Sequence, residues 1–207
     1  MSLPDQIKTI DEFHEILFKE KGSEFIAQVY HIESSDDVDE KLGDLKKKFF
    51  DATHHCYAYK ILKDQQKYYD DGEPSGSAGL RILNAIDHFN LINVLVVVIR
   101  YFGGSKLGVG PLGKAYYNSA YSVLSDAKIK ERILFEKLII KTEFSFISHI
   151  YRLTATFNGK IEELNYNNIA VYQVMIQPKF VNRLKSELSD LSGGKIEITI
   201  KNENIYQ

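Results

Sequence analysis

Val94-Leu95-Val96-Val97-Val98-Ile99-Arg100-Tyr101-Phe102-Gly103-Gly104-Ser105-Lys106-Leu107-Gly108-Val109-Gly110-Pro111 is the stretch on which the fold turns. Val94–Tyr101 is almost continuously apolar and β-branched, which predicts a strand covered on both faces. Pro111 suits the first turn of a helix, where its missing N–H removes little. The stripe Leu112, Tyr116, Ala120, Val123 and Ala127 continues that helix. Eight of the 13 glycines fall between Gly72 and Gly113. Such clustering marks shaped loops that use positive φ and close backbone approach, not loose linkers.

Upstream, Glu24–Ile32 reads as a strand, and Asp36–Phe50, opened by Ser34, Ser35 and Asp36, as a helix. His54–Leu62 and Lys67–Asp70 read as strands. The polar turn Asp70–Ser77 leads into a helix from about Ala78 to Phe89, on which Ile82, Leu83, Ile86 and Phe89 follow helical spacing. Ser75 or Ser77 is expected to cap it. Downstream, Ile133–Lys141 is a strand and Ile147, Ile150, Tyr151, Thr154 and Phe157 mark a helix. Ile161–Tyr166 and Ile169–Ile176 flank Asn167-Asn168, a pair able to take the positive φ of a tight hairpin. Phe180, Leu184, Leu188 and Leu191 form a helical stripe ending at Gly193-Gly194, and Ile196, Ile198 and Ile200 alternate as a last strand. The order β-α-β-β-α-β is the ferredoxin-like arrangement. The expected fold class is therefore α+β, with domains at 1–130 and 131–207.

The 207 residues carry 26 Lys+Arg against 28 Asp+Glu, a net charge of −2, with 44% hydrophobic and 12% aromatic residues. This composition excludes a disordered, collagenous or disulfide-stapled chain and a simple polycation. Cys56 is the single cysteine, so no intrachain disulfide forms and a reducing, cytoplasmic location is expected. Met1–Asp5 has neither the basic nor the apolar region of a secretory signal. The longest apolar run, Val94–Ile99, is far short of the ~20 residues of a spanning helix, so a soluble protein without a membrane partner is expected. Locally the charge is uneven. Residues 81–114 carry Arg81, Arg100, Lys106 and Lys114 against Asp87 alone, so a basic cluster coincides with the glycine-rich loops.

Four groups of residues point to chemistry. In the first, the loop 103–110 runs from a buried strand into a helix. Free N–H groups at the helix start, around Gly108, Gly110 and Gly113, would hold an anion beside Arg81, Arg100, Lys106 and Lys114. Gly108, Gly110 and Gly113 also satisfy G-x-G-x-x-G, but without the repeated βαβ units of a dinucleotide domain. Gly108–Lys114 satisfies G-x-x-x-x-G-K, but Ala115 replaces the hydroxyl that binds magnesium. The second group, Asp70-Asp71-Gly72-Glu73-Pro74-Ser75-Gly76-Ser77, offers three carboxylates to acid/base work or to a hard cation, or is simply a turn. In the third, His54-His55-Cys56, alternation puts His54 and Cys56 on one strand face and His55 on the other; the pair is a zinc-ligand pair, a nucleophilic dyad or, as no second cysteine exists, a structural feature. The fourth, Tyr101-Phe102 and Tyr116-Tyr117, borders the basic loop and either stacks on bases or builds core. No metal or cofactor is expected.

The segments His54-His55-Cys56-Tyr57-Ala58-Tyr59, Asp70 to Gly79 and Arg100 to Gly110 resemble the IMPACT family in its bacterial YigZ-like form. The resemblance covers residues 20–130 most strongly. It implies an N-terminal domain of the ribosomal-protein-S-five-domain-2-like type, similar to domain IV of elongation factor G. It also implies a C-terminal ferredoxin-like domain similar to domain V of that factor. Ribosome or RNA contact follows by fold analogy. Eukaryotic members of the family act in translational control through protein partners of an initiation-factor kinase and carry a further N-terminal interaction domain. The motifs here begin within the first 25 residues, so that pathway role is not expected to transfer. Arg81 stands where the family often has proline, Ser105 where it has an aliphatic residue, and Pro111 where glycine is common. The family brings no catalytic residue set.

Three readings follow. The first is a non-enzymatic RNA- or ribosome-binding protein that regulates translation, with Arg81, Arg100, Lys106, Gly108, Gly110, Gly113 and Lys114 at the interface. The second is a hydrolase-like enzyme whose pocket holds His54, Cys56, Asp70, Asp71 and Glu73. The third is an interaction module that uses the same face for a protein partner of the translation machinery.

Overall fold

The computed structural model describes residues 3–63, 65–166 and 169–207. In chain order the elements are β1 (Gln6–Ile10), β2 (His14–Glu20), β3 (Ser23–His31), α1 (Ser35–Lys48), β4 (His54–Ile61), β5 (Gln65–Tyr69), α2 (Gly79–His88), β6 (Val94–Tyr101) and α3 (Val109–Asp126). There follow β7 (Ile129–Thr142), α4 (Ile147–Thr156), β8 (Lys160–Tyr166), β9 (Ala170–Ile176), α5 (Pro178–Ser192) and β10 (Glu197–Tyr206). The chain is α+β with two antiparallel-paired sheets and forms two compact units. One is Lys8–Glu131; the other joins the N-terminal segment through Ile7 to Arg132–Gln207. Asn167-Asn168, read from the sequence as a hairpin turn, lie outside the described residues. No described helix is long and apolar enough to cross a membrane.

The first unit is built around β6. Its sheet runs β2-β3-β6-β4-β5, each strand antiparallel to its neighbours. Because side chains alternate along a strand, Val94, Val96 and Val98 enter the core under α2 and α3. Leu95, Val97 and Ile99 instead meet Val38, Leu42 and Leu45 of α1 on the opposite face. This double burial is why the strand is apolar throughout. Ser34 caps α1 in a capping box with Asp37, so the polar run Ser34–Asp37 starts the helix as expected.

Two strands are not expected from the sequence. In β2, Ile16 and Phe18 pack against the core while Leu17 between them is exposed. An apolar residue on the solvent face hides the period-two signal. The other, β1, is only five residues long.

In the second unit the order is β7-α4-β8-β9-α5-β10, and these strands pair in the order β10-β7-β9-β8, each of the three pairs antiparallel, in a five-stranded sheet whose fifth strand is β1 beside β7. Ile150, Leu153 and Phe157 of α4 and its end, with Val181, Leu184 and Leu188 of α5, cover the face that carries Leu138, Ile140, Tyr172 and Val174. The α5 stripe ends at Gly193, which takes φ +59° as the left-handed cap.

Candidate nucleic-acid interface

The turn after β5 brings the chemistry of the first unit together. Asp70 caps α2 from a distance in sequence: Oδ1 accepts from Ala78 N (3.0 Å) and Gly79 N (2.8 Å), and Oδ2 from Gly76 N (2.9 Å). The expected caps do not act as caps. The N-cap residue is Ala78, and Ser77 Oγ donates to Pro74 O at 2.6 Å within the turn. A carboxylate has two acceptor oxygens against the single oxygen of a hydroxyl, and here it satisfies three N–H groups. The turn packs tightly, since a Cβ at Gly79 would lie 2.6 Å from Tyr69 N.

Asp71 holds the start of β4. Its Oδ2 accepts from His55 N at 2.6 Å and its carbonyl from His54 Nδ1 at 2.7 Å. A carbonyl only accepts, so the proton of His54 is assigned to Nδ1. Nε2 of His54 then faces Glu73 Oε1 at 3.8 Å. His55 points to the other sheet face, as alternation requires, and burial holds its imidazole below the ordinary value against the pull of Asp71.

Under these residues lies a buried network. Glu73 Oε1 accepts from Arg100 Nη1 at 2.6 Å and from Tyr116 Oη at 2.7 Å. The Arg100 side chain is only 6% exposed and that of Glu73 5%. Arg100 Nη2 also donates to Ser23 Oγ at 3.3 Å, and its guanidinium lies 5.4 and 5.6 Å from the rings of Phe25 and Phe102. Cys56 Sγ lies 3.0 Å from Asp70 O, to which its thiol donates, and 3.4 Å from Tyr116 Oη.

These contacts decide what each group can do. Burial pushes the Cys56 thiol and the Tyr116 phenol far above their ordinary values. A thiol so held is no thiolate at neutral pH and lacks the electropositive, accessible setting of a nucleophile. The sequence brings His54, Cys56, Asp70, Asp71 and Glu73 to one place, but each is engaged in holding the turn and the core. Among the described residues no three His, Cys, Asp or Glu side chains form a group able to hold a metal ion.

Cys56 is therefore expected to resist a disulfide reagent at pH 8 in the folded protein and to react fully once unfolded; equal rates in both states would refute the burial argument. The folded thiol stays protonated while the unfolded one ionises near its ordinary value. Its contribution is thus fully present below about pH 8.5 and declines as pH rises above it.

The basic residues divide. Arg100 is turned inward with Val94, Val96 and Val98, and its charge is taken up by Glu73. Arg81, Lys106 and Lys114 are exposed, and none of the three has an ion-pair partner among the described residues. Arg81, Gly110, Gly113 and Lys114 line one depression of about 460 Å³ together with Asn84, Val109 and Tyr117. Lys106, Gly108, Phe102, Glu73 and Arg100 line a second of about 330 Å³, and Val109 borders both. α3 starts with Gly108 at φ +82°, with no side-chain cap and no acidic residue in its first turn. Val109 N and Gly110 N are thus left among the helix-start donors, while Pro111 offers none. Of the aromatic pairs, Tyr116 is core, Tyr117 lines the first depression, Phe102 is 46% exposed, and Tyr101 donates to Asp51. Ser23, Asn84 and Tyr121 lie in none of the sequence motifs; the i, i+4 spacing of Tyr117 and Tyr121 on α3 is the signal for the last.

The Impact N-terminal domain model matches residues 21–124. The chain belongs to the IMPACT family. The match contains the whole Cys56–Glu73–Arg100–Tyr116 network and both depressions. IMPACT family member YvyE of Bacillus subtilis is 30% identical over 187 residues, covering 89% of this chain and 85% of that protein. IMPACT family member YigZ of Escherichia coli is 27% identical over 182 residues, covering 86% and 89%. Human Protein IMPACT is 36% identical over 109 residues, half of this chain and 33% of its own length. A crystal structure described as that of a hypothetical protein superposes with a TM-score of 0.69 at 25% identity, over 97% of this chain and all of the other. The bacterial alignments are too long to be held within the first unit of an IMPACT-family chain of this kind, so they extend into the second.

Proposed function

We propose that this IMPACT-family protein binds RNA, free or on the ribosome, and regulates translation by occupying it and not by covalent chemistry. The observation that carries the reading is the convergence of Arg81, Lys114, Gly110 and Gly113 in one depression, beside Lys106 and Gly108 in the next. Three exposed cations and an uncapped helix start form an electropositive surface suited to phosphates. Arg100 is not in this set, because it is engaged with Glu73. The reading takes the reducing cytoplasm as the compartment and needs no cofactor. The finer fold assignments belong to it: a ribosomal-protein-S-five-domain-2-like domain over 1–130 and a ferredoxin-like domain over 131–207. The sheet order β10-β7-β9-β8 supports the second assignment.

Binding to ribosomes and to a structured RNA is expected to weaken linearly in log–log form between about 50 and 200 mM salt. The triple variant Arg81→Ala, Lys106→Ala, Lys114→Ala should lower that slope by about one for each phosphate it no longer neutralises. Binding unchanged in the triple variant, or absent at every salt, would overturn the proposal. One observation favours a protein partner as the second reading: Val109, between the two depressions, is 62% exposed. Binding that survives nuclease and responds little to salt would select it.

A further inference from the structure

Beyond the first depression the surface changes from basic to aromatic. α2 presents Arg81, Asn84 and His88 to solvent, and α3 exposes Lys114 and Tyr121, with Tyr117 half-buried between them. On each helix these residues lie at i, i+3 and i+7, which is one face. Tyr117, a wall of the depression, stacks on Tyr121 with ring centroids 5.9 Å apart and planes at 28°. Tyr121 in turn meets His88 at 5.2 Å and Phe89 at 5.1 Å, and His88 meets Phe89 at 5.2 Å. Four rings thus continue from the site of Arg81 and Lys114. The one acidic residue of α2, Asp87, is paired with Lys60 at 2.7 Å, so no free carboxylate of that helix opposes a polyanion here.

We infer that this face is a track for single-stranded RNA, with phosphates at Arg81, Lys114 and Gly110 N and unpaired bases stacked at Tyr117 and Tyr121. The inference rests on the RNA reading above and names the form of RNA. An aromatic face takes the face of a base, and a duplex buries its base faces in the stack while presenting edges. Lys114 to Tyr121 spans about 10 Å at 1.5 Å per residue. That is about three steps of ~3.4 Å along one stacked strand. The track therefore holds roughly three nucleotides and has little sequence preference, because every base has a stacking face.

The experiment compares labelled 12-nucleotide oligo(U) and oligo(A) with a 12-base-pair RNA duplex, by fluorescence anisotropy at one low salt. Tyr121→Leu is expected to weaken both single strands by at least about fivefold, the lower bound for one lost stack. Tyr121→Phe should bind as the unaltered protein does. Duplex affinity and the salt slope should not change in either. Unfolding midpoints of the two variants and of His88→Ala, which removes a second exposed ring packed on Tyr121, separate lost stacking from lost folding. If Tyr121→Leu and His88→Ala bind single strands as the unaltered protein does, while Arg81→Ala, Lys114→Ala loses them, the track is refuted and the phosphate surface stands. If the unaltered protein binds neither form of RNA, the RNA reading fails and the track with it.

Discussion

Arg100→Ala is expected to destabilise the first unit by about 3–5 kcal/mol, the usual range when one member of a buried ion pair is removed. The loss comes less from the attraction that disappears than from what is left. Glu73 stays enclosed, with Tyr116 Oη as its remaining close donor and His54 Nε2 at 3.8 Å. Ser23 loses a partner as well, and the rings of Phe25 and Phe102 lose the guanidinium that lies over each of them. Replacing both charges with apolar residues, Arg100→Met with Glu73→Leu, should recover much of the loss, because no uncompensated charge then remains buried. Lys106→Ala, by contrast, should change stability by no more than about 0.5 kcal/mol, as exposed substitutions do. Urea unfolding of the four proteins checks this. An Arg100→Ala midpoint equal to that of Lys106→Ala would show that the guanidinium is not held as described.

Gly103→Ala should be the second severe substitution, at about 3 kcal/mol, the upper part of the range for overpacking. A Cβ there would lie 1.9 Å from Gly22 C and 2.3 Å from Ser23 N. Both are backbone atoms, so no side-chain rotation relieves the clash, and the loop 103–108 must lift away from the β2–β3 turn. That movement also breaks the bond from Gly103 N to Ser23 Oγ, 3.1 Å long, and with it the seat of Arg100. Gly104 is the internal comparison. It has φ +84° with open space around its Cβ position, so Gly104→Ala carries only the left-handed backbone penalty of about 1–2 kcal/mol. Equal unfolding midpoints for Gly103→Ala and Gly104→Ala would contradict the close approach. In RNA binding, Gly103→Ala should also lower affinity by moving Lys106, whereas Gly104→Ala should not.

Much of the fold is legible before any coordinates. Val94–Tyr101 is a strand with the residues expected, and Gly79–His88 and Ile147–Thr156 lie where helical spacing puts them. The elements that escape are β2, whose alternation is broken by Leu17 pointing outward, and β1, which is only five residues long. The candidate site is legible in a different way. Its residue types and loops are visible, and three separated motifs do converge. Which of those residues face solvent is not visible. Arg81, Arg100, Lys106 and Lys114 are equal as letters, and only Arg100 has a carboxylate waiting 27 residues away in sequence.

Local features can be read from the order of residues alone: periodicity, helix caps, glycine-shaped loops and the motifs that mark the family. These depend on residues within a turn or two of one another, where backbone preference and side-chain spacing act directly. The division of labour among the charges needed the folded chain. Alternation sets Arg100 on the face of Val96 and Val98, but β6 is apolar on both faces, so that pattern does not say which face is deep. The fate of the charge depended on Glu73 and Ser23 arriving from elsewhere in the chain, because a buried guanidinium is stable only where acceptors such as a distant carboxylate and hydroxyl meet it.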